Sequence, residues 1–346
     1  MSGVQTVTIA EGEGDQRLDR WLKRRFPQIT QGRIEKACRK GEIRIDGARA
    51  KPATRVVTGQ TVRIPPLPEA APPALGRPEI AERDAEMIRA AVIYRDDHLI
   101  ALNKPPGLAT QGGSGQTRHV DGLSEALRFG FEEKPRLVHR LDKDTSGVLL
   151  LARTRAGAKA LTETLRLRET RKIYWAAVAG VPGPRMGTIR YGLVKAMGHG
   201  RGGEGEKMHC VHPDAVDATP DAKRAVTDYA VLSALGQRVS WCALVPVTGR
   251  THQLRAHMAE IGHPIVGDGK YGGSGQENLG DGWGAQLGGE ISRKLHLHAR
   301  SLLMTHPVTG ARLHLVAPLP EHMARTWAAL EWSPSDVPAD PFEEVE

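Results

Sequence analysis

Residues 139–147, HRLDKDTSG, place two carboxylates and three cationic or titratable side chains directly before the apolar run VLLLAR. Asp142 follows Arg140 by two residues and precedes Lys143, and nearby cations favour the ionised form of a carboxylate. A carboxylate that is kept ionised beside a buried strand can act as a nucleophile or as a base. The alternative is a surface turn with ordinary salt bridges, which is the more common meaning of such a motif on its own.

A second charged stretch, VTGRTHQLRAHMAEIGHPIVGD, covers residues 247–268 and changes from a turn into a helical pattern. It offers Arg250 and Arg255 as distant cations for Asp142, and it also contains His252. The stretch lacks the glutamate of the His-Glu-x-x-His motif that activates water in zinc proteases. Taken alone, it more often indicates a helix with structural histidines, and we predict no metal site.

Positive charge is concentrated near the N-terminus of the 346-residue chain, whose net charge is +8. Residues 16–64 contain 14 Lys and Arg but only 4 Asp and Glu. RLDRWLKRRF predicts an amphipathic helix, Thr30 is the predicted N-cap of a second helix that ends at Gly41, and an Asp-Gly turn predicts a small hairpin. This basic surface is typical of a polyanion-binding domain, and a solvated cationic face is the alternative.

The rest of the chain predicts a larger second domain at residues 90–330. Residues 65–89 are a predicted linker, because PPLPEAAPPALGRP contains six prolines, and EIAERDAEMIRA predicts a helix at its end. Strands and helices then alternate without a strict βαβ order, which indicates an α+β fold with a large mixed sheet. Residues 196–210 and 272–290 are predicted long loops, and the acidic residues 331–346 are predicted to be disordered.

Several classes of protein are disfavoured by what the sequence lacks. Three distant cysteines, Cys38, Cys210 and Cys242, fit a reducing cytoplasm better than a disulfide framework. No apolar stretch reaches the roughly 18–20 residues of a membrane span, and we expect no signal peptide. No Gly-x-Gly-x-x-Gly turn follows a predicted strand and no Gly-x-x-x-x-Gly-Lys-Ser/Thr loop is present, so we expect no nucleotide cofactor.

Five motifs occur in a family-specific order. They are LNKPPGLAT (102–110), HRLDKDTSGVLLLAR (139–153), KIYWAAVAG (172–180), TGRTHQLRAHMAEIGHPIVGDGKYG (248–272) and LHLHA (295–299). This order resembles the pseudouridine synthase family, which modifies large-subunit ribosomal RNA and some transfer RNA, and the resemblance spans residues 90–325. Residues 15–64 resemble the small RNA-binding domain shared by a small-subunit ribosomal protein and many RNA-modifying enzymes. Within the family, residues 39–66 resemble the C-type ribosomal large-subunit branch most.

The resemblance implies an α+β catalytic domain with a large mixed β-sheet flanked by helices, plus a small basic αα-ββ RNA-binding domain. It implies that specific uridines are isomerised to pseudouridine without a cofactor or metal. Asp142 matches the catalytic aspartate, Tyr174 the tyrosine that stacks on uracil, and Arg255 is preferred over Arg250 as the cation for Asp142. The further predicted substrate contacts are Arg140, Arg250, His252 and Lys104. The predicted RNA contacts of the first domain are Arg24, Arg33, Lys36, Arg39, Lys40 and Arg44.

We therefore expect a monomeric, cytoplasmic enzyme that acts on ribosomal RNA. Transfer RNA is the alternative substrate. A non-catalytic ribosome-assembly factor built on the same frame is disfavoured, because Asp142, Tyr174 and Arg255 are all present. An RNA methyltransferase is disfavoured by the missing glycine-rich cofactor turn. The sequence leaves open which uridines are modified and whether Asp142 is a nucleophile or a base.

Overall fold

The computed structural model describes residues 3–67, 80–112, 118–167, 169–196, 207–272 and 291–343. The chain divides into two compact units, residues 1–79 and 80–346. This division lies inside the predicted linker, residues 65–89. The predicted helix at the end of that segment forms, and it belongs to the second unit, where Ile88 is buried in the same core as Leu102.

The first unit consists of two helices and short antiparallel strands. Their bounds are β1 Gln5–Thr8, β2 Gln16–Arg17, α1 Leu18–Arg25, α2 Gln31–Lys40, β3 Arg44–Ile45, β4 Ala48–Arg49, β5 Arg55–Val56 and β6 Thr61–Ile64. Both predicted helices form. The Thr30 hydroxyl accepts the N–H of Arg33 at 3.4 Å, and Gly41 ends α2 in the left-handed conformation that favours glycine. Asp46 and Gly47 also have positive φ, as a tight hairpin turn requires.

The apolar faces of α1 and α2 form the core of the first unit. Trp21, Leu22 and Ile34 are buried there together with Val62 and Ile64 from β6. The six residues predicted to contact RNA all stay exposed. The amphipathic pattern therefore separates a buried core from a basic surface, as the sequence predicts.

The second unit has five helices and eleven strands among its described residues. Their bounds are α3 Glu82–Ala90, β7 Val92–Arg95, β8 Leu99–Lys104, α4 Val120–Leu123, β9 Arg136–Leu137, β10 Ser146–Ala152, α5 Arg155–Thr164, β11 Arg171–Ala179, β12 Met186–Lys195, β13 Met208–Val211, β14 Lys223–Leu235, β15 Val239–Pro246, α6 Gln253–Glu260, β16 Leu297–Thr305, β17 Arg312–Val316 and α7 Glu321–Ala329.

These strands form one mixed sheet in the order β13-β12-β14-β15-β11-β16-β10-β8-β7, with β17 beside β16 and β9 beside β10. The pairs are antiparallel except for β10 and β16, which run parallel through Ser146–His298 and Gly147–Ala299. Apolar side chains cover both faces of the central strands. The predicted α+β fold with a large mixed sheet is confirmed. No helix among the described residues is long and apolar enough to cross a membrane.

Part of one predicted loop is a strand of the sheet. Within the predicted loop 196–210, residues 208–210 belong to β13, which pairs with β12, while residues 197–206 lie outside the described part. Almost all of the second predicted loop, residues 273–290, also lies outside it.

The prediction of disorder for residues 331–346 is wrong for residues 331–343. Arg171 donates from Nε to Asp340 at 2.6 Å and lies over the Phe342 ring, and Trp332 is buried against Trp241. These aromatic side chains bury enough apolar surface to fix a segment whose overall composition is acidic and proline-containing.

Candidate active site

Main-chain hydrogen bonds hold the loop that carries Asp142 on both sides of that residue. Before it, the Leu141 carbonyl accepts from the Thr110 hydroxyl at 2.6 Å, and the Leu141 N–H donates back to the same hydroxyl at 3.2 Å. After it, the Lys143 carbonyl accepts from the Gly107 N–H at 2.9 Å. The motif at residues 102–110 therefore clamps the backbone around Asp142 and leaves its carboxylate free to point into the pocket.

Lys104 completes this clamp, and its predicted role as a direct substrate contact is wrong. Its side chain is fully buried, and Nζ donates to the carbonyls of Pro105, Leu108 and Lys143 at 2.9, 2.8 and 3.0 Å. Burial lowers the pKa of Lys104 to about 7, while the charges of Asp144 and Asp142 oppose that shift. Three carbonyl acceptors require three N–H donors, so this geometry selects the ammonium form.

Replacing Lys104 with methionine is expected to lower both stability and turnover. The loss of hydrogen bonds from a charged donor should reduce the free energy of unfolding by about 1.5–3 kcal/mol. Turnover should fall because the loop no longer holds Asp142 in one direction. Urea denaturation and single-turnover rates measure the two effects. Lys159→Met, which replaces an exposed lysine of α5, should change neither, and equal rates for wild type and Lys104→Met would contradict the clamp.

The serine and glycine of the DTSG turn join the Asp142 loop to the sheet. Ser146 Oγ lies 2.9 Å from Nδ1 of buried His298, whose Nε2 lies 3.1 Å from the Ala317 carbonyl. Gly147 has φ +109°, and a Cβ there would overlap the Ala299 carbonyl. Only glycine fits this approach of two backbones, so the strand that follows Asp142 begins at a fixed place.

One pocket collects most of the predicted site residues. Asp142, Tyr174 and Arg255 line it, and so do Arg140, Arg250 and His252. Arg140 and Arg250 are exposed, whereas Arg255 is only 5% exposed. The pocket thus has a buried cation at its base and exposed cations at its mouth, which suits a substrate with a phosphate backbone.

Arg255 is the buried cation beside Asp142, as the resemblance implies. Its NH1 lies 3.8 Å from Oδ2 of Asp142, while Nε and NH2 bind the two carboxylate oxygens of Asp268 at 2.7 Å each. Burial opposes the charge on Arg255, but the hydrogen bonds and charge of Asp268 outweigh it and raise the arginine pKa. Asp268 therefore fixes Arg255 as a cation, with NH1 still directed at Asp142.

Arg250, the rival partner for Asp142, lies at the mouth of the pocket instead. Its Nε donates to the Arg224 carbonyl at 3.2 Å. The turn is held by buried Gln253, whose Oε1 accepts the Arg250 N–H at 3.1 Å and whose Nε2 donates to the Val226 carbonyl at 2.8 Å. This turn presents Arg250 to solvent, where it can meet an incoming anion.

Tyr174 enters the pocket from the centre of the sheet. The pairing of β11 with β16 shifts register between Ile173 and Tyr174, and such a bulge redirects a side chain. Burial, with the charge of Asp142, raises the pKa of Tyr174 well above its ordinary value. The hydroxyl therefore stays protonated, and the ring offers a neutral aromatic surface for stacking.

The imidazole of His252 lies between the carboxylate of Asp142 and the hydroxyl of Tyr271. Its Nε2 is 3.8 Å from Oδ2 of Asp142, and its Nδ1 is 3.1 Å from the hydroxyl of Tyr271. Burial lowers the pKa of His252, and although the charge of Asp142 opposes this, the charges of Arg255 and Lys270 add to it. The imidazole is therefore neutral at neutral pH.

Sequence reasoning missed two residues of this site, Asp268 and Tyr271. Asp268 is buried and also accepts the backbone N–H groups of Lys270 and Tyr271 at 3.0 and 3.2 Å. The Tyr271 ring lies 5.2 Å from the guanidinium of Arg255. The available signal was the polar turn GDGKY directly after the apolar residues of HPIV. Among the described residues, no cluster of His, Cys, Asp and Glu could hold a metal ion.

Buried histidines next to this site predict destabilisation in mild acid. Burial lowers the pKa of His139 to about 3 and the pKa values of His257, His296 and His298 to about 4. Because an unfolded histidine has a pKa of about 6.5, the unfolded chain binds more protons below that pH, and the free energy of unfolding should fall as pH drops. Urea midpoints at about pH 7 and about pH 5 measure this. His298→Gln should weaken the dependence, exposed His314→Gln should not, and equal wild-type midpoints would contradict the prediction.

Comparisons with known proteins agree with this geometry. Residues 98–260 match the family model for RNA pseudouridylate synthase, and residues 16–62 match the S4 domain. The chain is 34% identical over 337 residues to the ribosomal large subunit pseudouridine synthase C of Salmonella typhi and, equally, to that of Escherichia coli K12, covering 93% of this chain and 95% of each relative.

The chain also resembles a solved structure. A human protein, RNA pseudouridylate synthase domain containing 4, aligns with a TM-score of 0.57 and 30% identity, over 71% of this chain and 95% of that one. The chain therefore belongs to the RNA pseudouridylate synthase family, and an S4 domain precedes its catalytic domain.

Proposed function

We propose that this enzyme isomerises specific uridines of large-subunit ribosomal RNA to pseudouridine in the cytoplasm, with Asp142 as the group that acts on the ribose. The observation that carries the proposal is the convergence of Asp142, Arg255 and Tyr174 in one pocket. The names of the two bacterial relatives support the choice of RNA. The reaction breaks the bond between uracil and ribose, rotates the base and rejoins it through carbon 5, so the nucleotide gains and loses no atoms overall.

Each side chain of the pocket has a task in this proposal. Asp142 attacks or deprotonates the ribose, and Arg255 places a positive charge 3.8 Å from its carboxylate. Tyr174 stacks on the uracil after the nucleotide leaves its helix, a movement that costs a few kcal/mol. Arg140, exposed beside Asp142, occupies the space that the extruded base leaves in the RNA.

The S4 domain supplies affinity for phosphates in this proposal. Its exposed Arg24, Lys36 and Arg39 belong to the basic surface described above. Such contacts release counterions, so the affinity falls with salt and depends little on sequence. The choice of uridine then comes from the fold of the RNA and from the catalytic pocket.

Single alanine substitutions on this surface are expected to lower the salt dependence of RNA binding. For each phosphate contact that is lost, the slope of log affinity against log salt should fall by about 0.7–0.9. Arg24→Ala, Lys36→Ala and Arg39→Ala are measured by fluorescence anisotropy at several salt concentrations. The control Arg325→Ala removes an arginine that is ion-paired with Glu321 on α7. Unchanged slopes for all three variants would show that this surface does not bind the phosphates of the RNA.

The substrate is tested by tritium release from RNA labelled at carbon 5 of uridine. The RNA is isolated from cells that lack this protein, so that its target uridines are unmodified. Release from large-subunit ribosomal RNA but not from transfer RNA supports the proposal. Release from transfer RNA alone would show that transfer RNA is the substrate instead. Release from neither RNA would contradict the proposed reaction.

A further inference from the structure

A chain of two hydrogen bonds leads from behind the pocket to His252, whose ring faces Asp142, and the roles assigned above do not use it. It begins at the backbone N–H of Met208 on β13, which donates to the Tyr271 hydroxyl at 2.8 Å. That hydroxyl lies 3.1 Å from Nδ1 of His252, whose other ring nitrogen, Nε2, faces Oδ2 of Asp142 at 3.8 Å. The chain thus connects an edge strand of the sheet with the carboxylate.

The direction of each bond follows from which groups can donate. The Met208 N–H can only donate, so the oxygen of Tyr271 accepts from it. Burial raises the pKa of Tyr271 to about 12, so its own proton remains and is available for Nδ1 of His252. The ring proton of neutral His252 then lies on Nε2 and faces the negative charge of Asp142. The opposite tautomer would turn a lone pair towards that charge.

The backbone of His252 holds the imidazole in this place. His252 has φ +52° and ψ +19°, a left-handed conformation that is uncommon for residues other than glycine. Such a conformation persists where surrounding contacts determine it, and it is concentrated at functional sites. Here it places the imidazole between Tyr271 and Asp142, with the Tyr271 and His252 rings perpendicular at 5.8 Å.

We propose that Tyr271 is a positioning residue for the isomerisation, which holds His252 in the tautomer whose Nε2–H points at Asp142. This inference rests on the proposed function, in which Asp142 is the reacting group. The 3.8 Å separation exceeds a hydrogen bond, and catalytic contacts of this kind shorten when substrate binds. His252 then donates to the carboxylate and fixes its orientation towards the ribose.

The same inference gives a role to β13, most of which lies in the predicted loop 196–210. The strand pairs with β12, and Cys210 Sγ donates to the Ala256 carbonyl of α6 at 3.6 Å. These contacts place the Met208 N–H against Tyr271. Strand β13 therefore supports the pocket from behind instead of lining it.

The tautomer is tested first, without RNA, by nitrogen-15 NMR of the histidine side chains. His252→Gln identifies the His252 signals. We expect the Nε2–H tautomer in wild type and in the control Tyr229→Phe, whose lost hydroxyl binds the Pro184 carbonyl elsewhere. Tyr271→Phe should give a mixture of tautomers. An Nδ1–H tautomer in wild type, or no change in Tyr271→Phe, would overturn the proposal.

Kinetics then test whether the tautomer matters for catalysis. Tyr271→Phe should lower kcat about ten-fold and leave KM within about two-fold, while Tyr229→Phe changes neither. In a His252→Gln background, Tyr271→Phe should have no further effect, because it acts through His252. An equal loss in both backgrounds, or an unchanged kcat, would overturn the positioning role. A wild type without isomerase activity would refute the proposed function instead, and the NMR result would still decide the tautomer.

Discussion

Asp142→Asn is expected to abolish pseudouridine formation while RNA binding and the fold are preserved. The amide keeps the shape of the carboxylate but provides neither a nucleophile nor a base, and losing such a group typically costs about 10²–10⁴-fold in rate. The structural cost should be small, because the contacts of Asp142 with Arg255 and His252 are both 3.8 Å long. The loop itself is held by the main-chain bonds of its neighbours.

The measurement is tritium release in single turnover with large-subunit ribosomal RNA, with wild type beside the variant. RNA affinity and the urea midpoint are determined for both proteins. Asp144→Asn is the matched control, since it removes an exposed carboxylate two residues away. Residual activity of Asp142→Asn above a few per cent of wild type would show that Asp142 is not the catalytic group. An inactive Asp144→Asn would show that the whole loop is sensitive to its charge.

Asp268→Ala is expected to give the largest loss of stability. Removing one partner of a buried ion pair leaves the other charge uncompensated, which costs about 3–5 kcal/mol. Arg255 is 5% exposed, and its nearest remaining carboxylate oxygen would be that of Asp142, at 3.8 Å. The turn that follows would also lose its acceptor for the N–H groups of Lys270 and Tyr271.

Urea denaturation monitored by tryptophan fluorescence tests this expectation. Asp84→Asn removes the partner of exposed Arg118 and should cost at most about 1 kcal/mol. Replacing both buried partners, as Arg255→Met with Asp268→Leu, should recover part of the lost stability, because no unpaired charge remains. A loss for Asp268→Ala no larger than that for Asp84→Asn would show that the buried pair does not stabilise the fold.

Local patterns in the sequence predicted much of the fold. The cap at Thr30, the glycine at the end of α2 and the Asp-Gly turn depend on a few neighbouring residues, and all three are as predicted. The loop of Asp142 was predicted for the same reason, because its charges and the apolar strand after it are adjacent in the chain.

The errors concern contacts between distant residues. Lys104 looked like a substrate contact because its charge is visible in the sequence, whereas the carbonyl of Lys143 that it binds is 39 residues away. The contact of Arg171 with Asp340 spans 169 residues, so an acidic composition could not reveal it. Asp268 and Tyr271 were inside a quoted motif, but only the tertiary fold places them behind Arg255 and His252.

The short parallel pairing of β10 with β16 has a consequence for the order in which the enzyme matures. Ser146 and Gly147, directly after the loop of Asp142, pair with His298 and Ala299, about 150 residues later in the chain. During synthesis, N-terminal domains fold first, and contacts of such long sequence separation form late. A growing chain can therefore complete its S4 domain early, but it can bring the aspartate into its working position only after most of the polypeptide has left the ribosome.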